Sequence, residues 1–202
     1  MIFFYRKNGY HNNWKTYWLN YRNERVKRCF LVLNQFLPNQ FVKNIFEISP
    51  DDLKKKGIKG IITDLDNTLV EWDRPLATPQ IIEWFAEMKR NDIKVTIVSN
   101  NKEARVKSFS DPLHIPFIFA ARKPLGRAFK KAIMQMNIKK EEAVVIGDQL
   151  LTDVLGGNRS GFHTILVVPV AQTDGFMTRI NRRIERRILN WFRRNGKLTW
   201  ED

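Results

Sequence analysis

Five short runs rich in β-branched residues, "IKGIITDL", "IKVTIVSN", "PFIFA", "EAVVIGD" and "HTILVVPV", recur between residues 58 and 170, with one helical pattern between each adjacent pair. Strands this continuously apolar need cover on both faces, and single helical crossovers between them favour parallel pairing. The expectation is therefore an α/β fold: a doubly wound, parallel, five-stranded, Rossmann-like sheet with helices on both faces. The helices carry their own signals. Ser49, Pro50 and Asp52 read as N-cap, first-turn proline and capping box for "PDDLKKKG", with Gly57 as the stop. Thr78-Pro79 opens "PQIIEWFAEMKRND", whose Ile81, Ile82, Phe85 and Met88 are expected on one face. In "PLGRAFKKAIMQMN" the shared face is Phe129, Ile133 and Met136.

Ligands of such sheets sit beyond the carboxyl ends of the strands. The residues found there are Asp64 and Asp66, then Ser99 and Asn100, then Lys123, then Asp148 and Asp153. In extended backbone, residues i and i+2 point to the same side, so Asp64 and Asp66 repel unless a cation or proton lies between them. Hard oxygen donors without a nearby His or Cys favour magnesium, and Ser99 and Lys123 offer a hydrogen bond and a positive charge to a phosphoryl group. Taken singly, each element has a plainer reading. Asp64 to Asp66 could be an exposed polar loop, Ser99-Asn100 a turn, Lys123-Pro124 a solvated lysine before a helix, and Asp148 a helix cap. Their ordered recurrence at successive strand ends is what points to chemistry.

"DLDNT", "VSNN", "RKP" and "GDQLLTD" resemble the four ordered motifs of the haloacid dehalogenase (HAD) superfamily, over about residues 58 to 170. The resemblance implies a phosphatase in which Asp64 is the nucleophile, Asp66 the acid and base, and Lys123 the screen for their charge. It implies that Thr68, Ser99, Asn100 and Lys123 hold the phosphate, with Thr68 also supporting the turn beside it. It further implies magnesium bound by Asp64, the backbone carbonyl of Asp66 and Asp148, with Asp153 assisting. Asp66 is the residue of the phosphatase form of the pattern, where the superfamily's ATPases have Thr.

Spacing bears on access. Between Asp66 and Ser99 lie 32 residues, and between Ser99 and Lys123 lie 23, each interval filled by one helix and its strand. With no room for a cap domain, the site is expected to be open to a phosphate carried by something large or embedded. "GIKGIITDLDNTLVEWD", "ARKPLGRAF" and the Arg-rich end resemble the capless YqeG family, similar to the mitochondrial phosphatidylglycerophosphate phosphatase. That resemblance implies removal of the terminal phosphate of phosphatidylglycerophosphate.

The net charge of +14 is concentrated at the two ends. Residues 1 to 35 carry seven Lys or Arg against Glu24, and residues 177 to 197 carry eight against Glu185. Any polyanion is therefore expected to be met through the termini. In residues 176 to 197, Phe176, Met177, Ile180, Ile184, Ile188 and Trp191 form an apolar stripe flanked by arginines. Such a helix suits an anionic membrane interface, and it equally suits the last packed helix of the fold. Residues 1 to 35 form a basic, aromatic extension, read as a membrane or nucleic acid arm, as disorder, or as sequence preceding a start near Val32. The domain proper is expected over residues 36 to 175.

Cys29 is the only cysteine, which excludes an intramolecular disulfide and favours a reducing, cytoplasmic setting. No run reaches the length of a membrane span, so the expectation is a cytoplasmic or peripheral protein with no obligate protein partner. The leading partner is an anionic phospholipid substrate. The alternatives are the same chemistry on a phosphoprotein, nucleotide or nucleic acid end, and a basic RNA- or ribosome-binding module with a vestigial site.

Overall fold

The computed structural model describes residues 32–171 and 176–197. Contacts divide the chain into two compact units, residues 1–34 and 35–202, and the fold belongs to the second. The expectations for the N-terminal extension lie outside the described residues.

Six parallel strands form one sheet: β1 (Gln40–Val42), β2 (Gly60–Thr63), β3 (Lys94–Val98), β4 (Phe117–Ile118), β5 (Ala143–Gly147) and β6 (His163–Val167), in the order β1-β6-β5-β2-β3-β4. Five match the apolar runs of the sequence. The sixth, β1, corrects the expected count. It is only three residues long and pairs along one edge with β6, through Gln40 opposite Ile165 and Val42 opposite Val167. An edge strand this short has too few residues to show a periodicity. Its place is fixed by Asn39, whose side-chain oxygen accepts from the Thr164 N–H at 2.8 Å.

The helices are α1 (Pro50–Lys55), α2 (Pro79–Arg90), α3 (Glu103–Ser110), α4 (Arg127–Met136), α5 (Leu155–Ser160) and α6 (Phe176–Arg194). Strand residues are buried almost throughout, and neighbouring side chains enter opposite cores, as two covered faces require. Ile61, Val95, Ile97, Val144 and Ile146 join Trp84, Phe85, Met88 and Phe109 in one core. Ile62, Val98 and Val145 join Ala128, Phe129, Ala132 and Met136 in the other. Burying each large apolar side chain contributes roughly 1.5–3 kcal/mol, and this term holds the helices on the sheet.

Two expectations for the helices are corrected. In α2, Ile82 stands 47% exposed while Trp84 is 3% exposed, because residues 81, 84, 85 and 88 share the inward face and 82 lies about 100° round the helix from 81. At α1, Ser49 occupies the N-cap position and Pro50 the first turn, but the Ser49 side chain makes no capping hydrogen bond. Thr78 does cap α2, accepting from the Ile81 N–H at 3.3 Å.

The C-terminal helix α6 packs on the domain. Ile188 and Leu189 lie against Leu150, Val154 and Leu166, and Phe192 is fully buried. Glu185, the lone acid among its arginines, is buried and accepts from the Leu151 N–H at 3.1 Å. At about 100° per residue, Glu185, Leu189 and Phe192 lie about 120° round the helix from Ile184 and Trp191. Among the described residues, the packed face therefore overlaps the stripe read in the sequence at Ile188, while Ile184 stays 43% exposed. Among the described residues, no helix is long and apolar enough to cross a membrane.

Candidate active site

Strand β2 hands the chain to Asp64, whose N–H still reaches Ile146 O on β5 at 2.9 Å. This continuation of the ladder fixes the Asp64 backbone at the centre of the sheet. The chain then turns tightly through Asn67, which adopts a left-handed conformation (φ 63°), a region that Asn tolerates better than most residues. Asn67 N–H donates to Val70 O at 2.7 Å, closing the turn and bringing Thr68 under the sheet edge.

Strand β5 ends at Gly147, followed by Asp148 and a single π-helical turn, Leu150–Val154, that carries Asp153. A β-carbon on Gly147 would lie 2.2 Å from the Asp153 carboxyl carbon, so glycine here is what lets that carboxylate close on the strand end. π turns are rare and concentrate at functional sites, where the extra residue re-aims a side chain.

Asp64, Asp148 and Asp153 are all buried, and one oxygen from each lies within 4.8 Å of the others. Lys123, also buried, sits among them with its Nζ 2.9 Å from Asp64 Oδ1 and 2.6 Å from Asp153 Oδ1. Asp148 is held differently. Thr68 Oγ1 donates to its Oδ1 at 3.0 Å, while Arg182 of α6 donates to its backbone oxygen at 2.6 Å and forms an ion pair with its carboxylate. Three carboxylates thus face two cations. With hard oxygen donors only, the remaining charge fits a divalent cation.

Burial pushes the Asp148 carboxyl up to about 7, with Arg182 pulling against it and Asp64 and Asp153 adding to it. Burial also pushes Asp153 up to about 6, against the pull of Lys123. For Lys123, burial disfavours the ammonium, but Asp153 and Asp64 outweigh it and hold the group above the ordinary lysine range.

The Asp66 carboxylate lies outside this cluster. Asn101 Nδ2 donates to its Oδ2 at 3.0 Å and Arg105 Nε to its Oδ1 at 3.0 Å. Burial raises its pKa above the ordinary value, the Asn101 hydrogen bond opposes that rise, and the neighbouring Asp64 charge reinforces it. Ser99 is buried at the end of β3, its hydroxyl accepting from the Asn101 N–H at 3.1 Å. Asn100 is committed to Lys123: its Oδ1 accepts from the Lys123 N–H at 2.7 Å and its Nδ2 donates to Lys123 O at 3.2 Å. Its amide holds the lysine's backbone in place. Thr68 sits behind the site on Asp148.

An open cleft of about 320 Å³ lies over the site, walled by Asp64, Asp66, Ser99, Lys123, Trp72 and Gln149 among others. Every strand-end residue singled out in the sequence is therefore at this edge. Sequence reasoning missed Arg105, Asn101, Arg182 and Glu185. Asn101 adjoins the "VSNN" motif, and Glu185 was visible as the one acid in a run of arginines. Arg105 and Arg182 lie on helices far in sequence from their partners Asp66 and Asp148 and carry no local signal.

A family model described as HAD-hydrolase-like matches residues 120–169. The probable phosphatase YqeG of Bacillus subtilis is 69% identical over 167 residues, which is 83% of this chain and 97% of that protein. Phosphatidylglycerophosphate phosphatase 1, chloroplastic/mitochondrial, of Arabidopsis thaliana is 29% identical over 171 residues, 79% of this chain and 49% of that protein. The chain thus spans about half of the plant protein's length. Among solved structures, the cobalt-bound deoxy-D-mannose-octulosonate 8-phosphate phosphatase of Haemophilus influenzae is similar at a TM-score of 0.49 and 17% identity, covering 68% of this chain and 90% of that one. At 69% identity across nearly the whole of the Bacillus subtilis protein, the chain belongs to the YqeG family and is a HAD-type phosphatase.

Proposed function

We propose that this phosphatase is a magnesium-dependent phosphatidylglycerophosphate phosphatase, peripheral on the cytoplasmic face of the membrane, that releases the terminal phosphate to leave phosphatidylglycerol. The observation that carries the lipid reading is the placement of α6. One of its faces is fixed beside the carboxylate cluster through Arg182, while Ile184 and a flank of arginines face outward. Anionic surface lipid attracts such a helix. The open cleft and the similarity to the plant phosphatidylglycerophosphate phosphatase support the same substrate.

In this reading an Asp64 carboxylate oxygen attacks phosphorus, and the bond from phosphorus to the glycerol oxygen breaks. Asp66 gives that oxygen its proton. Water, losing a proton to Asp66, then attacks the aspartyl phosphate, and Asp64 is regenerated as inorganic phosphate leaves. The raised Asp66 pKa supports its carrying that proton. Lys123 offsets the charge that gathers on Asp64 and the phosphoryl oxygens, and the Asn100 clasp on its backbone keeps it in place. Asp64, Asp148 and the backbone of Asp66, with Asp153 beside them, would hold magnesium, which supplies charge neutralisation at the phosphoryl oxygens.

The test is phosphate release from a panel of phosphorylated lipids, sugars, nucleotides, peptides and nucleic acid ends, with magnesium and with EDTA. Phosphatidylglycerophosphate should give the highest kcat/KM, by at least about tenfold, and EDTA should abolish it. A phosphopeptide or nucleotide ranking above the lipid would overturn the substrate. Salt-dependent RNA binding that survives Asp64→Asn, with no phosphate release, would favour the RNA-binding alternative.

A further inference from the structure

A second groove, of about 670 Å³, lies between α6 and the segment after β6. One wall is Val168 to Ala171, the other is presented by Arg182, Arg183, Arg186 and Leu189, and Leu150 and Leu166 contribute to the lining. It abuts the catalytic cleft. Asp148 belongs both to the groove lining and to the carboxylate cluster, and Val170 donates its N–H to the backbone oxygen of Asn67, which lines the cleft, at 2.9 Å.

The groove combines two chemistries that a small phosphorylated metabolite does not need together. Val168 and Val170 are 44% and 48% exposed along one wall. On the other, Arg183 and Arg186 are exposed and, among the described residues, neither forms an ion pair with a carboxylate. The two acids in the lining, Asp148 and Glu185, are buried and both paired with Arg182. The charge offered to a ligand is therefore positive and its surroundings are apolar. A soluble sugar phosphate has no apolar part to bury there. A single-stranded nucleic acid would want aromatic platforms for its bases, and among the described residues of the lining Phe41 is the only aromatic one.

We propose that this groove binds the phosphodiester and the adjoining acylated glycerol of the phospholipid whose terminal monoester phosphate occupies the catalytic cleft, with Arg183 and Arg186 contacting the diester oxygens. This deepens the phosphatidylglycerophosphate reading and rests on it for the identity of the lipid. The groove, on this view, selects a lipid with two phosphates over one whose only phosphate is the monoester.

Two measurements test it, using the full chain and the variants Arg183→Gln/Arg186→Gln and Val168→Asp, all at exposed positions. In neutral-detergent micelles, the parent should favour phosphatidylglycerophosphate over phosphatidic acid, which lacks the diester, by at least tenfold in kcat/KM. The arginine variant should lose most of that preference through KM. Separately, monomeric dihexanoyl phosphatidylglycerol, which has the diester and no monoester, should bind the parent by calorimetry and bind each variant at least tenfold more weakly. If the parent hydrolyses neither lipid yet binds dihexanoyl phosphatidylglycerol in a manner dependent on both arginines, the substrate reading falls and the groove stands. If dihexanoyl phosphatidylglycerol does not bind the parent, or binds the variants equally, the groove proposal is overturned whatever the turnover results.

Discussion

Arg182 donates to the backbone oxygen of Asp148 at 2.6 Å and forms an ion pair with its carboxylate, so a residue of the last helix is built into the acidic cluster formed by the strand ends. Glu185, three residues on, pairs with Arg182 at 3.3 Å and accepts from the Leu151 N–H, tying the same helix to the π turn that carries Asp153. Arg182 therefore differs in kind from Arg183, Arg186 and Arg187, which are exposed.

Arg182→Gln should lower turnover of a soluble phosphomonoester about 10- to 100-fold and raise the metal concentration needed for half-maximal rate, because partners that orient a ligating carboxylate typically matter at that level. Arg187→Gln, on the exposed side, should leave both unchanged. Steady-state kinetics across a magnesium titration would separate the two, and equal behaviour of the variants would remove the role assigned to Arg182.

Asp64→Asn should abolish phosphate release, by about a thousandfold or more, while circular dichroism and the melting temperature stay near those of the parent. The amide keeps the side-chain shape but cannot attack phosphorus, and Lys123 retains Asp153 at 2.6 Å as its partner. Release within tenfold of the parent would sink the nucleophile assignment.

Arg105→Gln should shift the pH limb of kcat that reports Asp66 to higher pH. Arg105 lowers the pKa of that carboxyl, which burial already raises, so its removal leaves the rise less opposed. A pH profile identical to the parent's would show that Arg105 does not tune Asp66.

Stability without metal should fall as pH rises. Asp148 and Asp153 have folded pKa values of about 7 and about 6, above the ordinary 3.8, so the folded state binds their protons more tightly than the unfolded chain does. Their contribution is fully present below the unfolded value and is lost as pH rises through 6 and 7. Added magnesium should restore the melting temperature most at the alkaline end of that window. Asp148→Asn should flatten the profile, and a metal-free melting temperature that climbs from pH 4 to 7.5 in the parent would contradict the assignment.

Replacing Arg187 and Arg194 with Gln should weaken binding to anionic vesicles by up to about 2 kcal/mol, at about 1 kcal/mol per basic residue near such a surface. Both are exposed and flank the side of α6 that carries Ile184 and Trp191. Salt should reproduce the effect in the parent by screening. Sedimentation of the variant with vesicles as completely as the parent would leave α6 as a packing element only.

The fold and most of the groups gathered at the candidate site were legible in the sequence because they depend on short-range rules. Five strands declared themselves as β-branched runs between single helices, and a parallel sheet of that kind gathers the residues just past each strand at one edge. Asp64, Ser99, Lys123 and Asp148 could therefore be assembled from order alone. Three-residue β1 was not legible, since its pairing with β6 is an edge contact that leaves no periodicity. The sequence left the packing of α6 open for a related reason. Of the stripe residues described, Ile188 packs and Ile184 does not, because the partners that Leu150, Leu151 and Asp148 offer are matched by Leu189, Glu185 and Arg182, a mixed set with a weak hydrophobic signature. Arg105 and Arg182 acquire their roles only when helices distant in sequence bring them to Asp66 and Asp148. Local sequence dictates which way a strand or helix is built. Which charged side chain a buried carboxylate ends up facing is decided by tertiary packing, because a buried charge must find a partner wherever the fold supplies one.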